Sequence, residues 1–380
     1  MTDPNVGRPM DTLEAETATF YELLGRHWTL SAPVTDAAFD TAGQAVAFAL
    51  ADGALAIAPL TDAESPQDRY RMALDGGRAT ISPRRKPVPP VTIVAVGDAP
   101  LRLAPLGTSG FIAGERSRLL RVSASGLIEV AADDGRPVDL VVPVANGGVL
   151  VASEGAITCH DANGDVGWRQ PLAVGDVSAI AVSRDGRRVA LGADGRLLVQ
   201  TFGPQSEIIA SIELGPVSAL SWSQDGSWLA ASVVKAGIAL VRPADARVVR
   251  IPGYPTTVSS LAWSVDSRVL MTSGGYRIVA WDVASLGGDS ERPTNVATGS
   301  AGFVLVQTVA MHPERPLVAA GYGDGRVVVA KIGQPDELVV KPPGRGAVDA
   351  LQWSRDGQHL ALGTSEGDAA VVSFPPHIFK

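Results

Sequence analysis

The chain has 380 residues, 46 % of them hydrophobic and 19 % charged, with 41 Gly and 27 Pro, a composition that excludes a disordered polyelectrolyte and allows a large buried core. A net charge of −8 repels a phosphate backbone, so no nucleic-acid partner is expected. No apolar run approaches the roughly 20 residues of a bilayer-crossing helix, so no membrane partner is expected either.

One cysteine, Cys159, cannot form an intrachain disulfide and fits a reducing compartment. The N-terminal residues lack a basic segment followed by an apolar one, so the expected location is the cytoplasm. Arg outnumbers Lys 27 to 5 beside abundant Ala and Gly, the coding bias of a GC-rich bacterial genome.

At the N-terminal end, Asp11 with Glu14 has the spacing of a capping box, and Leu13, Phe20, Leu23 and Leu24 recur at helical spacing. This pattern predicts a short helix over 12–25, a tail set apart from the rest of the chain. Downstream, apolar runs rich in Val, Ile and Leu are closed by turn residues every few positions, which predicts strands. The units begin near residues 34, 101, 138, 177, 217, 258, 305 and 348, eight in all. The interval from 34 to 101 is too long for one unit, and its segment 78–90, rich in Arg and Pro, is expected to be a loop. Within it, Arg84-x-x-Pro87-x-x-Pro90 matches peptides that dock in polyproline conformation, against the simpler reading of a solvated extended segment.

The units share a turn. Ala179 to Gly186 (AIAVSRDG), Ala219 to Gly226 (ALSWSQDG), Leu261 to Ser267 (LAWSVDS) and Leu351 to Gly357 (LQWSRDG) each end an apolar run in Ser-x-Asp followed by Gly or Ser. The serines stand at 183, 223, 264 and 354, and Met311-His-Pro-Glu-Arg315 divides the last interval, His312 in the Ser place and Glu314 in the Asp place. The period of 40 to 48 residues belongs to repeat architectures. Asp-Gly or Glu-Gly hairpins recur at 52–53, 194–195, 324–325 and 366–367, where Gly supplies a positive φ without a Cβ clash. Four antiparallel strands per unit describe a propeller blade. The last unit holds only three, Val348 to Gln352, His359 to Thr364 and Ala369 to Phe374, so residues 26–31 are expected to supply its fourth strand and close the ring. The predicted fold class is all-β: one closed β-propeller of four-stranded blades over 26–380.

The Trp-Ser-x-Asp-Gly turns and the Trp281-Asp282 pair that ends a third strand resemble the WD40-repeat family of β-propellers, over roughly residues 34 to 374. Departures are large: one Trp-Asp pair, and no Gly-His pair before any first strand. The family's usual number of blades is seven, against eight counted here, with the second and third units the least marked.

No catalytic constellation emerges. The Gly-x-Ser-x-Gly elbow is missing, and His27, His160, His312, His359 and His377 show no metal-ligand spacing, so catalytic residues, metal and cofactor are all expected to be absent. Cys159 and His160, neighbours on a strand, point to opposite faces and cannot act as a pair. The turn serines and aspartates serve the turn itself, and Trp222, Trp263 and Trp353 fill the wedge between blades. The alternative reading is a ligand- or cofactor-binding propeller: His160 to Leu172 resembles the Asp, Gly, Trp docking motif of quinoprotein propellers, in one copy.

The leading expectation is a non-enzymatic scaffold binding protein partners. In a four-stranded blade the second-to-third hairpins share one face with the links between blades. Tyr276 and Tyr322 in hairpins, Tyr254 in a link, Phe303 and Arg345 fall on that face and are the candidate partner-binding residues.

Overall fold

The computed structural model describes residues 19–71, 80–98, 100–108, 110–130, 136–172, 174–287, 291–376 and 378–379. Blade 5 shows how the repeat becomes a sheet. Its strands Val217–Trp222, Leu229–Val233, Gly237–Arg242 and Arg247–Ile251 pair antiparallel in chain order. Leu229–Val233 is buried throughout, because a blade is covered on both faces by its neighbours, and a strand covered on both faces loses polar alternation. Ser223 turns the chain. Its Oγ accepts the Trp228 N–H at 2.9 Å and donates to Asp225 Oδ1 at 2.7 Å, while that oxygen accepts the Ser227 N–H at 2.9 Å. Gly226, at φ +67°, occupies the left-handed position that closes the turn. The same bonds recur at Ser183, Ser264 and Ser354, and His312 replaces them by accepting two backbone N–H groups at Nδ1.

Eight four-stranded sheets result, their first strands beginning at Val34, Arg102, Val138, Val177, Val217, Leu261, Val306 and Val348. Each first strand touches the next, and that of blade 8 touches that of blade 1, so these strands form the inner ring. The number of blades is eight, with the second and third units complete. The core lies in the wedges between blades: Leu197, Val199 and Ala210 of blade 4 pack against Trp222, Leu229 and Ala231 of blade 5.

Closure uses the N-terminal strand. Gly25–Thr29 pairs antiparallel with Asp368–Ser373, Arg26 opposite Val371 and Trp28 opposite Ala369, as the fourth strand of blade 8. The helix before it falls within the predicted 12–25, of which 12–18 lie outside the described residues. It covers Phe20–Leu24, and Thr19 is its extended N-cap, exchanging capping-box bonds with Glu22. Asp11, Leu13 and Glu14 lie outside the described residues.

Residues 82–90 form the expected irregular, largely exposed segment, within a wider interval that follows blade 1's third strand, Ala54–Pro59. It holds a short helix, Pro66–Arg69, and a two-stranded ladder of Tyr70–Arg71 with Thr80–Ile81, and it returns as Thr92–Ala95, blade 1's outer strand. That strand starts late because Pro87, Pro89 and Pro90 have no N–H to donate. The segment is tied to the closing strand. Arg69 donates to Leu23 O and Ser82 O, each at 2.6 Å, and Trp28 Nε1 donates to Pro89 O at 2.9 Å. Glu64 Oε2 accepts the Arg85 and Lys86 N–H groups at 2.8 Å each. Arg84, the basic residue of the proline motif, is turned inward onto Asp62. Arg78, at the head of the expected loop, lies outside the described residues.

Arg26 is 2 % exposed and lies 3.9 Å from Asp62, with Nη1 on Pro59 O at 2.7 Å. Desolvation opposes ionisation of Asp62, but the Glu64 N–H and Arg84 outweigh it and hold the carboxyl below its ordinary range. The stabilisation from this cluster is therefore present above the ordinary carboxylate range and lost as pH falls through the depressed value. Asp62→Ala strands two guanidinium groups, one almost fully buried, and is expected to lower unfolding free energy by about 3–5 kcal/mol, read by urea denaturation. Deleting residues 1–32 removes the closing strand and is expected to lower the melting temperature sharply; an unchanged melting curve would show that closure does not depend on it.

Candidate interaction surface

The links between blades run beside the second-to-third hairpins and are bonded to them. Gly302 N donates to Tyr276 O at 3.0 Å, Gly323 N to Leu305 O at 3.0 Å, and Gly344 N to Asp324 O at 2.9 Å. Ser365 N donates to Ala347 O at 2.9 Å, and Leu30 N to Gly367 O at 2.8 Å. Blades 6, 7 and 8 and the closing strand thereby present one continuous rim.

Three of the five candidate residues stand on this rim with their side chains in solvent. The Tyr276 side chain is 49 % exposed and Phe303 is 100 % exposed, the two joined through the Gly302 bond. Arg345 is exposed and donates to Glu366 Oε2 at 2.7 Å, an ion pair that leaves the rest of its guanidinium to solvent.

The other two are taken up by the interior. The Tyr254 hydroxyl lies 2.9 Å from Thr272 Oγ1 and accepts Trp281 Nε1 at 2.7 Å, and burial pushes the phenol up to about 12. Tyr322 ends the second strand of blade 7 instead of standing in its hairpin, and it is 1 % exposed. The Arg326 guanidinium covers its ring at 4.1 Å, its hydroxyl reaches Glu337 Oε1 at 3.4 Å, and burial followed by Glu337 pushes the phenol upward. Both rings are large apolar surfaces whose polar tips find partners inside, which a hairpin position in the sequence does not reveal.

Sequence reasoning missed the cleft beside Arg345. About 240 Å³ in volume, it is lined by Tyr21, His27, Trp28, Lys341, Arg345 and Asp368, where the outer strands of blades 7 and 8 diverge. Buried Lys341 donates to Gly325 O at 2.9 Å. The signal for it was the Lys341-Pro-Pro-Gly-Arg345 run.

The residues weighed for other chemistry take structural parts. Burial pushes the Cys159 thiol up, away from a thiolate. In the quinoprotein-like stretch, Asp161 Oδ1 accepts the Asn163 and Asp165 N–H groups at 2.8 and 3.0 Å, and Trp168 packs edge-on against Phe202 of blade 4 at 5.2 Å. His377 lies outside the described residues. Among the described residues no group of three or more His, Cys, Asp or Glu could hold a metal ion, and no helix is long and apolar enough to cross a membrane.

Tyr322→Ala is expected to cost about 3–5 kcal/mol, and Tyr254→Phe about 1–3 kcal/mol through its stranded partners, while Tyr276→Ala stays within about 0.5 kcal/mol.

Compared by sequence, the chain matches no family model and no curated protein. Compared by structure, it is similar to the C-terminal WD40 domain of Sif2, with TM-score 0.64 and 11 % identity over 92 % of this chain and 97 % of that one. The WD40 domain of Neurospora crassa Pan2 aligns with TM-score 0.59 and 13 % identity over 95 % and 99 %. A chain of the mitotic checkpoint complex aligns with TM-score 0.57 and 14 % identity over 99 % and 97 %. The shared property is the WD40 type of propeller fold.

Proposed function

We propose that this propeller is a non-enzymatic scaffold that binds protein partners through the link-side rim of blades 6 to 8. The observation that carries the reading is Phe303, whose ring stands wholly in solvent beside half-exposed Tyr276 on loops bonded to a rigid sheet. Neighbouring apolar rings held in water by a rigid scaffold suit a partner that covers them. Tyr276 gives a large contact with a polar tip, and Arg345 a charge at the margin; both types are enriched among residues that dominate binding. Two of the structural neighbours are WD40 domains and a third is a chain of a multiprotein complex, which supports a scaffold role here. The single cysteine supports a reducing cytoplasmic setting, and the Arg-rich, Lys-poor composition a bacterial one.

The test is cross-linking mass spectrometry in the native host, followed by binding measurements with the partner recovered. Tyr276→Ala and Phe303→Ala are each expected to weaken binding by about 1–3 kcal/mol with the melting temperature unchanged. Arg345→Ala is expected to slow association and reduce its salt dependence. Unimpaired binding by all three variants would move the interface off this rim.

A further inference from the structure

The wedges on either side of blade 5 are each filled by an indole. Trp222 ends the first strand of blade 5 and donates Nε1 to Ala181 O of blade 4 at 3.1 Å, with the Arg188 guanidinium over its ring at 4.9 Å. Trp263 of blade 6 does the same to Ser221 O of blade 5 at 3.0 Å. Pairing register identifies the equivalent position in every blade. Trp222 stands opposite Leu229, and in blade 2 the residue so placed is Pro105, opposite Phe111. The next residue repeats the pattern, Leu106 N donating to Gly110 O as Ser223 N donates to Trp228 O. Blade 1's counterpart of Arg188 is Ala45: Asp40 N donates to Ala45 O as Ser183 N donates to Arg188 O, and Ala45 pairs with Pro59 as Arg188 pairs with Thr201. At the wedge between blades 1 and 2, then, both the ring and its roof are missing.

A cavity of about 430 Å³ lies there. Ala45, Ile57, Pro59, Pro90 and Phe111 give it apolar walls, and Asp40 gives it a carboxylate. The volume falls in the range of small-ligand sites. Asp40 replaces the turn serine of other blades: Oδ1 accepts the Gln44 and Ala45 N–H groups at 2.8 and 3.1 Å, and its second oxygen has no partner among the described residues. The residue is 5 % exposed, so an unspent acceptor sits at the edge of an apolar slot.

We propose that the wedge between blades 1 and 2 is a binding site for a planar aromatic group bearing an N–H donor, the external counterpart of the indoles that fill the wedges around blade 5. The ring would stand against Ala45 and Phe111, which line the cavity on its two sides. Its N–H would donate to the Asp40 carboxylate oxygen left free beside the Gln44 and Ala45 bonds. Asp40 favours a neutral or cationic ligand over an anionic one.

Two probes separate the possible sources of this chemistry, a free small molecule and a tryptophan side chain of another protein. Tryptamine is the free amine, and N-acetyltryptophanamide carries the chain's amides on both sides. Each is titrated into the whole protein by calorimetry, with indole-3-acetate as the anionic control. The expected result is saturable binding of at least one probe, at least tenfold weaker binding of indole-3-acetate, and loss of binding in Pro105→Trp and Ala45→Arg, which fill and roof the slot from within. Equal binding of the two probes assigns the site to a protein segment; binding of tryptamine alone assigns it to a small molecule. No saturable binding, or binding that Ala45→Arg leaves unchanged, overturns the proposal, and Ala45→Arg decides alone if Pro105→Trp does not fold. Because this site is remote from Tyr276 and Phe303, failure here leaves the rim reading untouched.

Discussion

Pairing between Gly25–Thr29 and Asp368–Ser373 is the contact on which the rest depends. A propeller blade buries both faces against neighbours and has no core of its own, so every wedge requires a neighbour on each side, and the ring supplies that only when closed. Without the N-terminal strand, blade 8 would keep an open edge and the wedge holding Val34, Phe48, Ala361 and Val371 would lose the cover of Trp28. The Arg26, Asp62 and Arg84 cluster reinforces this seam. It spends charge where the other wedges use apolar packing, and the long segment inside blade 1 is the device that brings Asp62 and Arg84 to the strand.

The wedges divide the ring into unlike sectors. Around blade 5 indoles seal them, and between blades 3 and 4 Trp168 with Phe202 does so from the outer strand and a turn. Around blade 8, Trp353 packs with His312, Phe374 and Phe379. Blades 2 and 3 both carry a proline at the indole position, Pro105 and Pro143, and between blades 1 and 2 a cavity of about 430 Å³ stays partly open. Repeat proteins tolerate this variation because each unit answers only to its neighbours, so one wedge can be given up to a ligand while the others hold the ring rigid.

The two surfaces proposed for binding follow from the same geometry. The rim of blades 6 to 8 presents side chains on short links that are hydrogen-bonded to hairpins, so Tyr276 and Phe303 are held with little freedom to lose on binding. The slot between blades 1 and 2 instead receives a group into a space that the fold elsewhere fills for itself.

Sequence alone determined the blade units and the closing strand, because these rest on local signals: short apolar runs, Ser-x-Asp-Gly turns whose bonds span five residues, and a final unit one strand short; its count of eight stood against a family default of seven until the sheets were paired. Tertiary structure decided which aromatics are available. Tyr254, Tyr276 and Tyr322 occupy similar places in the repeat, yet Thr272 and Trp281 draw the first inward, Arg326 and Glu337 cover the second strand's terminal tyrosine, and only Tyr276 remains in solvent. Those partners lie 15 to 27 residues away for the hydroxyl bonds, beyond the reach of a local pattern. The open wedge was equally hidden, since the absence of an indole at Pro105 acquires meaning only when strand register makes Pro105 the equivalent of Trp222 and Ala45 the equivalent of Arg188.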